Sequence, residues 1–168
     1  QDTTYGVKAH EFRKFMALPG LSELGFEIAL EVDPADQADL EALRGNGWHV
    51  VDPKCVVPDP AAFRRYVQQS GAEFSVAQGI YVDTQSGWFS DRTVRYLASG
   101  KPAVVQDTGW SRNYPSGQGL LRFSTIGEAV DAAEQVDVVG ARGRHAEHAL
   151  AVGRVREGVV VPPDHLRP

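Results

Sequence analysis

The chain has 168 residues, 42% apolar and 23% charged, which is enough material for one soluble domain with a real core. A net charge of −5 argues against bulk electrostatic binding to nucleic acid or to an anionic membrane, since both need a basic face. The single cysteine, Cys55, excludes an intrachain disulfide and fits a reducing compartment, hence a cytoplasmic location.

No signal peptide and no membrane-spanning run is read in the chain. It begins with Gln1 rather than Met, which reads as a processed chain or a piece of a longer protein. In chain order, residues 10–18 predict a short helix with Phe12, Phe15 and Met16 on its buried side, ended by Pro19-Gly20. Residues 26–32 predict a strand. Asp33-Pro34 starts a helix with Leu40 and Leu43 inward, stopped at Gly45-Asn46-Gly47. Residues 48–51 predict a second strand and 52–59 a loop. Residues 60–69 predict a helix with the apolar stripe Phe63, Tyr66 and Val67. Residues 72–77 predict a third strand and 79–85 a loop.

The run 86–109 is the most informative in the chain. Ser90 or Asp91 caps a helix by accepting from its first free N–H groups. Thr93, Val94, Leu97 and Ala98 give it a partly apolar face. Gly100 ends it in the left-handed conformation and Pro102 blocks its continuation. Residues 103–105 follow as a buried strand. Residues 119–123 predict a short strand, and Thr125 with Glu128 forms a capping box for a helix over 126–136. Residues 141–152 predict a last helix, and 158–168 an extended tail after a domain spanning 1–157. This alternation of strands and helices predicts a Rossmann-like α/β domain, three layers with a mostly parallel sheet.

A helix N-terminus beside the carboxyl end of a strand is an anion site, because free N–H groups and the helix dipole both point at the ligand. Gly87, Ser90, Asp91, Arg92 and Thr93 are the candidates on the helix side, with Gln106, Asp107, Thr108 and Gly109 on the strand side. Ordinary turn and cap chemistry fits the same residues: Asp107 in an Asx turn, and Asp91 as a cap or in an exposed salt bridge with Arg95 one turn on. Trp88 and Trp110 lie in these loops and offer a stacking surface, whereas Trp48 starts a strand and reads as core. His10 becomes a site group if its end of the chain folds over the sheet edge. His145 and His148 lack the carboxylate or cysteine cluster that a zinc site needs, so no metal is expected. Cys55 has no cue to a lowered pKa, and no catalytic residue is assigned.

The segment GWFSDRTVRYLASGKPAVVQDTGW (87–110) resembles the donor-binding half of glycosyltransferases of the GT-B fold. Those enzymes carry a glycine-containing loop, a helix, then an A-x-G-x-P turn into a hydrophobic strand, here Ala98, Gly100 and Pro102. GLLRFSTIGEAVDAAEQV (119–136) is similar to the family's late strand and helix. The resemblance implies a nucleotide-sugar donor whose diphosphate rests on residues 90–93, with Gln106, Asp107, Thr108 and Gly109 facing the sugar or a ribose and the base near Val51 and Asp52. It implies no essential metal and no cofactor beyond the donor. It also implies an N-terminal acceptor lobe, outside this chain, that supplies the catalytic base. Arg95 or Tyr96 stands where many members carry a ribose-holding glutamate, so donor nucleotide and sugar stay open. A non-catalytic Rossmann-like interaction domain and a sugar-nucleotide epimerase of the same fold are the alternatives.

Overall fold

Among the described residues, six short strands form one sheet, β1 (Phe26–Ala29), β2 (His49–Val51), β3 (Ala72–Ser75), β4 (Ala103–Gln106), β5 (Leu120–Phe123) and β6 (Leu150–Val152), in the order β2-β1-β6-β3-β4-β5. This computed structural model describes residues 8–32, 37–141 and 150–152. All neighbouring strands are parallel, so their carboxyl ends share one edge. From β1 the order runs one way to β2, and from β3 the other way to β4 and β5, with β6 filling the gap.

The helices are α1 (Lys8–Arg13), α2 (Gln37–Gly45), α3 (Pro53–Val56), α4 (Pro60–Gln69), α5 (Gly79–Asp83), α6 (Asp91–Ala98) and α7 (Ile126–Ala141). The local signals explain most of them. Asp59 caps α4 through Ala62 N, with Pro60 at the first helical position. Glu128 N donates to Thr125 Oγ1 and Ser124 N to Glu128 Oε2 at the start of α7. The Thr125 half of the predicted capping box is formed, while the Glu128 carboxylate reaches one residue further back, to Ser124 N and not to Thr125 N. Gly100 has φ 72° and completes a double stop, with Gly100 N on Leu97 O and Lys101 N on Tyr96 O.

Four expectations change. The helix predicted over 10–18 ends at Arg13 and gives way to turns and a 3-10 turn, Leu18–Leu21. Its apolar side chains are nonetheless core. The predicted loops 52–59 and 79–85 contain α3 and α5. The helix predicted over 141–152 is replaced at its end by β6. A short apolar run such as Leu150 to Val152 fits a central parallel strand as well as a buried helix, and periodicity cannot separate them. On α6, Val94 is 53% exposed, and Tyr96 is fully buried in its place beside Thr93. His145, His148, Asp33-Pro34 and the tail 158–168 lie outside the described residues.

Every residue of β3 and β4 is buried, as expected of strands covered on both faces. Phe74 and Val104 join Phe15, Leu18, Trp48, Phe123 and the α7 residues Ala129, Ala132 and Ala133 in the main core. Ala103 and Val105, one residue out of phase, pack with Trp110 and the half-buried Phe89 and Leu97. A third cluster joins α4 to α6 through Val67 and Tyr96, flanked by Phe63 and Tyr66.

Two phenols in that third cluster titrate abnormally. Burial, followed by interaction with the Glu27 carboxylate, drives Tyr66 well above the usual phenol value. Burial likewise pushes Tyr96 up to about 12. Both favour the protonated folded form. Their contribution to stability is therefore complete below the unfolded value of about 10 and is lost as pH rises toward and past the folded values. Absorbance titration should show Tyr96 ionising near pH 12 and Tyr66 later still, or both together with unfolding. Normal ionisation of every tyrosine near pH 10 in the folded chain would contradict this packing.

Candidate functional site

The two halves of the predicted site meet at the carboxyl edge of the sheet. β3 ends at Ser75 and leads through α5 to the loop before α6, so α6 begins at that edge. β4 ends at Gln106, and its following loop lies against the same segment. Gly87 N donates to Thr108 O at 2.7 Å, and Thr108 Oγ1 donates to Trp88 O at 2.6 Å. Gly109 has φ 91° and sits so close to the neighbouring loop that a Cβ would stand 2.8 Å from Gln85 O. Only glycine suits that position, on both backbone angle and space.

Ser90 is the cap of α6: its Oγ accepts from Arg92 N at 3.3 Å, and the helical ladder starts with Val94 N on Ser90 O. The first N–H groups of a helix have no carbonyl partner within it. They form the positive end of α6, which follows directly on the Gly87–Trp88 segment bound to Thr108. Thr93 is fully buried one residue beyond Arg92, and no hydrogen bond of its Oγ1 is found among the described residues.

Several site side chains have partners inside the fold. Asp107 Oδ1 accepts from Gly109 N at 2.8 Å, and its Oδ2 from Ser111 Oγ at 2.7 Å. Arg122 Nη1 lies 3.6 Å from the same carboxylate. This is the Asx-turn geometry that the sequence left open. Asp91 pairs with Arg95 at 2.9 Å on the exposed face of α6, and Arg95 also stands over the Phe63 ring at 5.6 Å. Arg92 turns inward: its Nε donates to Glu73 Oε1 at 2.6 Å and its Nη2 to Ser75 Oγ at 3.4 Å.

Gln106 is buried, its Oε1 accepting from Ala77 N and its Nε2 donating to Glu11 Oε1 at 2.7 Å. The N-terminal segment thus reaches the carboxyl end of β4, the condition under which His10 becomes a site neighbour; His10 itself is exposed. Of the tryptophans, Trp48 is core and Trp110 is buried, its Nε1 donating to Gln106 O. Trp88 is half-buried and stacks on Tyr81 with ring centroids 5.0 Å apart. Asp52 caps α3 through Lys54 N. Tyr96 is buried and Arg95 exposed at the positions where a ribose-holding glutamate was sought.

Sequence reasoning missed Glu73 and gave Glu11 no part. A charge inside AEFSVA was the available signal, because a strand buried on both faces must find a partner for a carboxylate. It also missed a groove of about 470 Å³ beside β5, lined by Ser111, Ser116, Arg122, Glu128, Asp131 and Gln135 over Leu121 and Ala132. Among the described residues, no group of three or more His, Cys, Asp or Glu is placed to hold a metal ion, and no helix is long and apolar enough to cross a membrane. Compared with known proteins, the chain matches no family model, no curated protein and no solved structure.

Proposed function

We propose that the chain is the donor-binding domain of a GT-B-like glycosyltransferase, a Rossmann-like α/β/α lobe that holds a nucleotide-diphosphate sugar for transfer to an acceptor bound on a second lobe. One observation carries the reading. The loop that leads into the capped start of α6 and the loop after β4 are hydrogen-bonded together at the carboxyl edge, through Gly87 N on Thr108 O and Thr108 Oγ1 on Trp88 O. Ligands of parallel α/β sheets bind at that edge. The alternation of Phe74 and Val104 with Ala103 and Val105 between two clusters supports the layered arrangement.

In this reading the N–H groups of residues 91 and 93 receive the diphosphate, that of Arg92 being held by the Ser90 Oγ cap, and the helix dipole stabilises its negative charge as the sugar departs. The Asp107 carboxylate faces a sugar or ribose hydroxyl, while Gln106, Thr108 and Gly109 shape the loop from beneath. Isothermal titration with UDP-, GDP- and dTDP-sugars, with the acceptor lobe joined, is expected to give saturable heat for one donor class. Heat from none of them sinks the proposal.

A second reading, an interaction domain that binds no donor, is favoured by one specific fact: Asp91, Arg92 and Asp107 all have partners within the fold. It predicts a folded chain that is silent in the same titration.

A further inference from the structure

Glu73 lies in the middle of β3, paired in register with Ala103 of β4, and it is fully buried. An isolated carboxylate there is strongly unfavourable, so its partner is structurally obligatory. That partner is Arg92, whose side chain is 15% exposed and lies 2.6 Å from Glu73 Oε1. Arg92 is the second residue of α6, and its own N–H is held by the Ser90 cap. The residue is therefore tied to the cap by its backbone and to the sheet by its side chain.

We propose that Arg92 is a positioning residue: its buried ion pair with Glu73 fixes the first turn of α6 against β3 and so sets the aim of the N–H groups of residues 91 and 93. This rests on the donor-binding reading for its consequence, though not for its geometry. The alternative role, a guanidinium turned outward onto a phosphate, would strip Glu73 of its counter-charge. Glu73 Oε2 already has no hydrogen-bond partner among the described residues. The aromatic groups nearby, Tyr66 and Tyr96, carry no positive charge to replace it.

A double-mutant cycle on the full chain separates the two roles, using Glu73→Gln, Arg92→Met, the double variant and Arg92→Lys. Two quantities are read: hydrogen exchange at the Arg92 and Val94 amides, and the dissociation constant for inorganic pyrophosphate. With Arg92 as a strut, Glu73→Gln and Arg92→Met each speed exchange by roughly tenfold or more. Each then weakens pyrophosphate by a similar factor, the double variant is no worse than the worse single, and Arg92→Lys recovers part of both. Should Arg92→Met fail to fold, Glu73→Gln and Arg92→Lys carry the same comparison.

Unchanged exchange in a folded Glu73→Gln variant overturns the proposal. So does tighter or unaltered pyrophosphate binding in Glu73→Gln beside its loss in Arg92→Met, which is the pattern of a direct ligand. If wild type binds no pyrophosphate while the exchange cycle behaves as stated, the strut stands and the donor-binding reading fails.

Discussion

Replacing Phe74 with alanine is expected to destabilise the chain by about 3–5 kcal/mol, the largest effect of any single core substitution considered. Phe74 is fully buried in β3, between β6 and β4. It stacks on Phe123 with centroids 4.9 Å apart and meets Phe15 and Phe26 edge-on at 6.3 and 6.2 Å. Those rings come from β5, the N-terminal segment and β1. Loss of Phe74 thus removes contacts among elements far apart in sequence, and neighbours fixed by other packing cannot collapse into the space. For a domain of this size the thermal midpoint should fall by roughly 10–15 °C. Phe74→Leu, which keeps most of the volume, should lose far less, about 1 kcal/mol. Thermal unfolding of the two variants checks both values. A Phe74→Ala midpoint within a few degrees of wild type would refute the packing.

Gly109→Ala should be nearly as damaging, for a different reason. Its φ of 91° is unfavourable for any residue with a Cβ, and that Cβ would stand 2.8 Å from Gln85 O and 3.2 Å from Gln85 C. Backbone, unlike the end of a side chain, cannot swing away. The loop 85–88 must move, breaking the bonds from Gly87 N to Thr108 O and from Thr108 Oγ1 to Trp88 O. A loss of about 2–4 kcal/mol is expected, together with loss of whatever binds between the two loops. Gly87→Ala is the control: its φ is 76°, but no atom lies within 4 Å of the added Cβ. Only the backbone term remains there, about 1–2 kcal/mol. Chemical denaturation should rank Gly109→Ala clearly below Gly87→Ala, and equal losses would show that the close approach is not real.

Features written within a few residues of one another were legible in the sequence. Ser90, Thr125 with Glu128, and Gly100 before Pro102 act through local hydrogen bonds and backbone preference, and each does what its position implied. The meeting of the loop before α6 with the loop after β4, through Gly87, Trp88 and Thr108, was legible too, because a strand–helix–strand unit returns to the same edge. Features decided by distant partners were not. The face that α6 buries carries Arg92 and Tyr96, four apart and so on one side of the helix, because Glu73 and Ser70 wait for them on neighbouring elements. An apolar count along α6 alone chose Val94 instead. The strand β6 was missed because three apolar residues between β1 and β3 take their conformation from the sheet and not from their own pattern. Glu11 was passed over because its local partner, Lys14, reads as an ordinary surface pair, and the bond that ties its other oxygen into the site comes from Gln106, 95 positions later.

Binding of an anionic donor at the first turn of α6 would register in the backbone amide resonances of the labelled chain during titration with UDP-, GDP- and dTDP-sugars. Saturable shifts at residues 90–93 and 106–109, weaker or absent at the groove of Arg122, Asp131 and Gln135, are the predicted result. No shift at residues 90–93 with any donor, or shifts confined to that groove, would contradict it.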